Sequence, residues 1–270
     1  MRWRIVLPLL GCLTLLASGQ ARAQGLLWSL PPDGSWVRYE GTFSQLVRRP
    51  NSTEGDLQLQ WTRHVTIKSV GTVEEEFRGA VQPCRWIEIK VVTGQVKEGL
   101  IDAGPGGVGI YKLLVPEQFI RGQQFDDANI LVSYIPVARG YRQLGEESPQ
   151  PVESGVFQLY PYVEYLHHYR NLEPDGAGPQ PLQIPLGDVT ATLYRGSMTT
   201  ESTITRATNE GQIWRSEDVP FGVAKWVVRD VREEKHPTQS RDLFRETTEV
   251  SIEMAAHATG TDAETELDVP

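Results

Sequence analysis

Between Leu57 and Val70 the side chains alternate with a period of two. Leu57, Leu59, Trp61, Val65 and Ile67 share one parity; Gln58, Gln60, Thr62, His64, Thr66 and Lys68 share the other. Strict alternation puts one face of a strand on a core and the other in water. Parallel sheets covered on both faces read as continuous apolar runs instead. The pattern therefore selects an antiparallel sheet over a parallel α/β one. Arg63 sits on the apolar parity, which marks either a bulge or a charge reaching the mouth of a cavity.

The same signal recurs along the chain. Trp36 to Phe43 alternates, with Val37, Tyr39, Gly41 and Phe43 on one side. So does Trp86 to Val92, with Ile87, Ile89 and Val91 opposite Glu88 and Lys90. Further strands are expected at Ile130 to Ile135, Val189 to Arg195, Glu201 to Thr208, Gln212 to Arg215, Gly222 to Val231 and Thr247 to Ala255. Val96 to Ala103 is expected as a hairpin partner across Thr93-Gly94-Gln95. Val108 to Phe119 and Leu159 to Tyr169 read as two short helices. These elements imply a mainly β fold: one strongly curved antiparallel sheet, a half-open β-barrel, with two short helices.

The ends set the compartment and the domain. Met1 to Arg4 is a basic start, Ile5 to about Ala17 is apolar, and Ala21-Arg22-Ala23 is a small-x-small cleavage signal, the pattern of a secretory signal peptide over residues 1–23. The apolar run is too short to span a bilayer, and no later stretch replaces it. Leu9-Leu10-Gly11-Cys12 offers a competing reading, a lipoprotein anchored at Cys12. The apolar run continues past Cys12, which disfavours it. The chain is thus expected to be secreted or periplasmic after cleavage near Ala23. Residues 24–258 then form a single β-rich domain, with 25–32 leading in and Trp28 on its surface. Residues 259–270 are acidic and poor in apolar side chains, and are expected as a disordered tail.

Removing residues 1–23 takes away three arginines and no acid, leaving 23 basic and 35 acidic residues, a net charge of −12. Such a surface repels nucleic acid and anionic membrane alike. Only Cys84 then remains, so no intrachain disulfide is available and the core must hold the fold. Cys84 reads best as a small buried hydrophobe.

Local motifs do not assemble a catalytic centre. Gly104-Pro105-Gly106-Gly107-Val108-Gly109 matches G-x-G-x-x-G, but the surroundings alternate at period two instead of showing βαβ runs. Glu164 and His168 are spaced i, i+4, as a metal pair on a helix would be, yet no third ligand has an ordered spacing. There is no G-x-S-x-G and no H-E-x-x-H. Neither enzymatic activity, nor a metal, nor a cofactor is expected.

One stretch organises the rest. Trp214 to Val228, WRSEDVPFGVAKWVV, reads as a strand end, a turn through Ser216-Glu217-Asp218, a corner at Pro220-Phe221-Gly222 and a second strand. Trp214, Ser216, Val219, Pro220, Phe221, Gly222, Val223, Lys225 and Trp226 resemble the late turn of bacterial envelope proteins of the half-open β-barrel type. The carriers and receptors of outer-membrane lipoproteins are built this way. The resemblance implies an apolar cavity under the sheet with the helices as plug or lid, and carries over no functional residue by position. A sheet lined by Leu59, Trp61, Val65, Ile67, Ile87 and Ile89 must either be filled by side chains or hold a ligand. The expected function is that of an exported non-enzymatic binding protein, with a lipid or other apolar ligand against those six residues. The alternative is a structural or protein-interaction module of the cell envelope without a small ligand.

Overall fold

The computed structural model describes residues 26–104, 107–120, 135–152, 156–157, 163–167, 169 and 171–269. The strands run β1 (Trp36–Val47), β2 (Leu57–Phe77), β3 (Ala80–Lys97), β4 (Leu100–Asp102), β5 (Val108–Pro116), β6 (Ile135–Pro136), β7 (Arg139–Leu144) and β8 (Gln150–Pro151). They continue as β9 (Val156–Phe157), β10 (Glu173–Pro174), β11 (Gln180–Ile184), β12 (Gly187–Glu201), β13 (Thr205–Arg215), β14 (Val223–Glu234) and β15 (Arg245–Gly260). All but β6 and β9 join one open antiparallel sheet, ordered β10-β12-β13-β14-β15-β1-β2-β3-β5-β7-β8, with β11 on β12 and β4 on β3. Two meanders therefore meet where the first long strand pairs with the last, Trp36 opposite Gly260 through Val47 opposite Thr248.

The alternation holds. Val37, Tyr39, Val65, Ile67, Ile87, Ile89, Ile213, Trp226, Ile252 and Met254 are buried in one core on the inner face of the sheet. Tyr39 packs edge-on to Trp226 at 4.9 Å, and its hydroxyl donates to the Val223 carbonyl at 3.0 Å.

Several expectations are corrected. In place of two helices, the described residues hold three single 3-10 turns, Glu117–Phe119, Pro220–Gly222 and Arg241–Leu243. Val108 to Pro116 is strand β5 because both its faces are covered. Leu113 and Val115 enter the inner core, while Leu114 packs with Cys84 and Trp86 on the other side. A strand buried on both faces loses its alternation and can be mistaken for a helix. Of the other expected helix, at 159–169, residues 159–162 and 168 lie outside the described residues; Tyr165, Leu166, His167 and Tyr169 are irregular chain. Of the strand expected at Ile130 to Ile135, residues 130–134 also lie outside them.

The β3–β4 hairpin turns at Glu98-Gly99, not at Thr93-Gly94-Gln95, and the β2–β3 hairpin turns at Arg78-Gly79. All four turn residues have positive φ, between 53° and 83°, which is how a two-residue loop matches the twist of its strands. Glu201 to Thr208 is not one strand: it spans the end of β12, a turn at Ser202 and the start of β13. Trp28 is buried, not on the surface. Its N–H donates to the Phe221 carbonyl at 2.9 Å, and its ring packs against Tyr194 at 5.3 Å. The acidic tail is docked where disorder was expected: β15 runs to Gly260, Ala263 N–H donates to the Gly34 carbonyl at 2.8 Å, and Leu267 is buried.

Candidate functional site

The strand order sets up the inner face. β8 ends one meander at one edge of the sheet, and β10 and β11 begin the other at the opposite edge. The chain between them has to cross the sheet. Its described residues 163–167 and 169 cross on the inner face as a strap. Val163, Leu166 and Tyr169 enter the core, and burying each contributes about 1.5–3 kcal/mol.

Polar pins register the strap. Arg63, which interrupts the apolar parity of β2 between Trp61 and Val65, is 7% exposed; it donates through Nε to the Val163 carbonyl at 3.1 Å and through Nη1 to Thr93 Oγ1 at 2.9 Å. No register shift occurs at Arg63, so it is not a bulge. Burial lowers its pKa, with Tyr165, Glu164 and Tyr111 opposing. Asn209, on β13, donates to the Tyr165 carbonyl at 3.1 Å and to Asp230 Oδ2 at 2.9 Å, and accepts the Tyr169 hydroxyl. The Tyr169 ring lies on Gly196 and Gly211, which face each other across β12 and β13. A β-carbon on Gly196 would stand 2.6 Å from Tyr169 Cγ, and one on Gly211 2.7 Å from its Cζ.

One strap group is not satisfied. Glu164 is fully buried, and neither carboxylate oxygen has a hydrogen-bond partner among the described residues. Burial holds its pKa well above the ordinary carboxylate range, with the Arg63 charge opposing. The metal-pair reading is untouched by this, since His168 lies outside the described residues; among those described, no group of three or more His, Cys, Asp or Glu could hold a metal.

The six residues expected to line a cavity divide. Val65, Ile67, Ile87 and Ile89 come together on the inner face of the adjacent strands β2 and β3, with Ile67 directly opposite Ile89, and all are at 0% exposure within a core that the strap and Leu26 to Trp28 help fill. Trp61 and Leu59 lie beyond Arg63 toward the end of β2 and stay half-buried, Trp61 against Phe43 at 5.5 Å. Phe43 in turn meets Tyr165 of the strap at 5.5 Å. The glycine run 104–109 leads into a strand, so no helix N-terminus stands there to receive a pyrophosphate.

The organising stretch builds a bent corner between paired strands, as its sequence implies. β13 shifts register between Trp214 and Arg215, and Phe221 and Gly222 both turn with positive φ, 65° and 86°. Gly222 N–H donates to the Val219 carbonyl at 3.0 Å, and Ser216 N–H to the Gly222 carbonyl at 3.1 Å. The inward side of the corner sends Val219 and Phe221 into the core. Its outward side opens a cleft of about 550 Å³, lined by Thr190, Thr192, Tyr194, Arg215, Glu217 and Asp218 among others. Arg215 lies over the Trp28 ring at 5.3 Å, and Asp218 Oδ2 accepts the Thr190 N–H at 2.8 Å. Sequence reasoning missed this cleft, because its walls come from β12 and from the turn after β13.

Comparison with known proteins adds little. No family model matches the chain, and no curated protein matches it. Among solved structures, one from Parabacteroides distasonis, described as a "putative lipoprotein", aligns over 88% of this chain and 100% of its own, at 10% identity and a TM-score of 0.35. At that TM-score the likeness carries no argument. Among the described residues no helix is long and apolar enough to cross a membrane, which says nothing of a β-barrel.

Proposed function

We propose that the chain is an exported, non-enzymatic module of the cell envelope that works by engaging a partner at its outer surface. The observation that carries this reading is the filled inner face. Four of the six side chains expected around a lipid are fully buried in a core shared with the chain's own strap. An apolar ligand would have to displace Val163, Leu166 and Tyr169 before it touched them. The test is native mass spectrometry of protein purified from the envelope fraction, followed by organic extraction and a fluorescent fatty-acid uptake assay. A clean apo mass with no uptake is expected. A reproducible bound mass of lipid size would overturn this reading and restore the half-barrel carrier.

That second reading, a carrier whose strap is a displaceable plug, is favoured by one observation: the buried Glu164 carboxyl on the strap has no hydrogen-bond partner among the described residues. A buried carboxylate without a hydrogen bond weakens the segment that bears it. In a carrier, strap opening would relieve that burial and admit the ligand together.

A further inference from the structure

On the outer face, Lys68, Glu88 and Lys112 stand side by side across β2, β3 and β5. Glu88 is at 0% exposure and Lys112 at 7%, although this is the side of the sheet away from the core. The cover is the chain's own tail. The Glu88 carboxylate accepts the backbone N–H groups of Glu266, at 3.0 Å, and Leu267, at 3.1 Å, and the Thr265 hydroxyl at 2.7 Å. Lys68 Nζ donates to the Glu264 carbonyl at 3.0 Å, and Lys112 Nζ to the Leu267 carbonyl at 2.9 Å. The Glu266 carboxylate is held by Lys68 at 2.6 Å and also by Lys90. Leu267 is the one tail side chain from 261 to 269 that is buried.

This is directional recognition. A tail kept in place by packing alone would bury several apolar side chains against an apolar strip. Here a carboxylate and two ammonium groups are withdrawn from water, and each is met by a matching group of the tail. Burying charge in this way is unfavourable unless every partner is in place, so the groove selects for its occupant. The main-chain contacts accept any sequence; the hydroxyl of Thr265, the acid of Glu266 and the buried Leu267 supply specificity.

We propose that the groove over β2, β3 and β5 is a peptide-recognition site that the tail occupies as an internal ligand. Its external occupant is a segment of an envelope protein presenting a hydroxyl, a carboxylate and a leucine at three consecutive positions. The lysines that hold Glu266 favour an acidic segment, as this tail is. The proposal deepens the outer-surface reading given above, and a peptide-binding readout is blind to lipid, so the two fail separately.

The test uses the full chain carrying Glu266→Ala and Leu267→Ala, which frees the groove, and a fluorescein-labelled peptide of residues 261–270 read by anisotropy. Saturable binding is expected, at least tenfold tighter than to the wild-type chain. It should be lost when the peptide carries Thr265→Ala, Glu266→Lys and Leu267→Ala. A second measurement needs no variant: excess peptide added to the wild-type chain should speed amide exchange at Glu266 and Leu267 of the protein. Absence of both effects, or equal binding of a scrambled peptide, overturns the proposal. So does a wild-type dimer in sedimentation that the double substitution abolishes, which would assign the groove to a second copy's tail.

Discussion

Replacing Gly211 with alanine tests the strap directly, because the sign of the effect depends on one ring. Gly211 sits mid-strand opposite Gly196, and neither residue has a left-handed φ. In open surroundings Gly→Ala there would stabilise by about 0.4–1 kcal/mol, since alanine has fewer unfolded conformations to lose. The Tyr169 ring reverses this. The new β-carbon would stand 2.7 Å from Tyr169 Cε2 and Cζ, closer than the 3.0 Å that real β-carbons respect. The ring cannot withdraw freely, being buried with its hydroxyl tied to Asn209. Overpacking of this kind costs about 1–3 kcal/mol, so the net expected loss is roughly 0.5–2 kcal/mol. Removing the ring by Tyr169→Ala should itself cost about 3–5 kcal/mol, by analogy with other aromatic truncations. In that background only the chain-entropy effect remains, and Gly211→Ala should become stabilising. Urea unfolding followed by tryptophan fluorescence, on the wild type, both single variants and the double, reads the coupling between them. If Gly211→Ala shifts stability equally in both backgrounds, the ring does not lie on this glycine floor and the account of the strap is wrong.

Glu164→Gln should gain on the wild type as pH rises. Burial holds the Glu164 carboxyl well above 4.5, so folding takes up a proton; the group's contribution is full below about 4.5 and lost as pH climbs to its folded value. The difference in unfolding free energy between variant and wild type, read from urea titrations, should widen by about 1.4 kcal/mol per pH unit within that window, and a pH-independent difference would refute the burial. Cys84 should resist thiol reagents in the folded chain and react only on unfolding, since it is fully buried and burial, with Glu75, Glu74 and Glu117 nearby, raises its pKa; a stoichiometric reaction under native conditions would show the β3–β5 outer cluster to be open. Gly79→Ala and Gly99→Ala should each destabilise by about 1 kcal/mol through backbone strain alone, because φ is 82° and 83° and no atom lies within 4 Å of the added carbon. A thermal melt checks this, and no change would mean the hairpin turns are not of the two-residue type.

Periodicity carried the strands that keep one face in water. β1, β2, β14 and β15 stand where alternation puts them, longer at their ends than the pattern alone indicates. It failed where the environment is symmetric. β5 is covered on both sides, so Tyr111-Lys112-Leu113-Leu114 reads equally well as one face of a helix. The Arg-Gly and Glu-Gly hairpin turns were legible in principle, as a residue-glycine pair between alternating runs, but they lack the Asn or Asp that makes the signal strong. Trp28 looks exposed in sequence because the groups that bury it, Tyr194, Arg215 and Phe221, lie far along the chain. The tail was misjudged for a related reason: its composition is that of a disordered segment, and what orders it is a set of charges on β2, β3 and β5.

The same limit applies to the six apolar positions expected around a ligand. Alternation states which side chains point inward; it does not say what they meet. That is decided by connectivity. Because the two meanders join through β1 and β15 in the middle of the sheet, their outer ends lie at opposite edges, and the link between them must traverse a face. The face it takes is the one where Arg63 and Asn209 stand ready to bind its carbonyls and where Gly196 and Gly211 leave room for Tyr169. Arg63, the exception in the clearest period of the sequence, is thus where that crossing is recorded. A charge at an inward position of a strand needs several acceptors; here the sheet supplies Thr93 Oγ1 and the crossing segment supplies the Val163 carbonyl. An inward-facing charge that interrupts an otherwise apolar parity is therefore better read as the anchor of a crossing segment than as the rim of an open pocket.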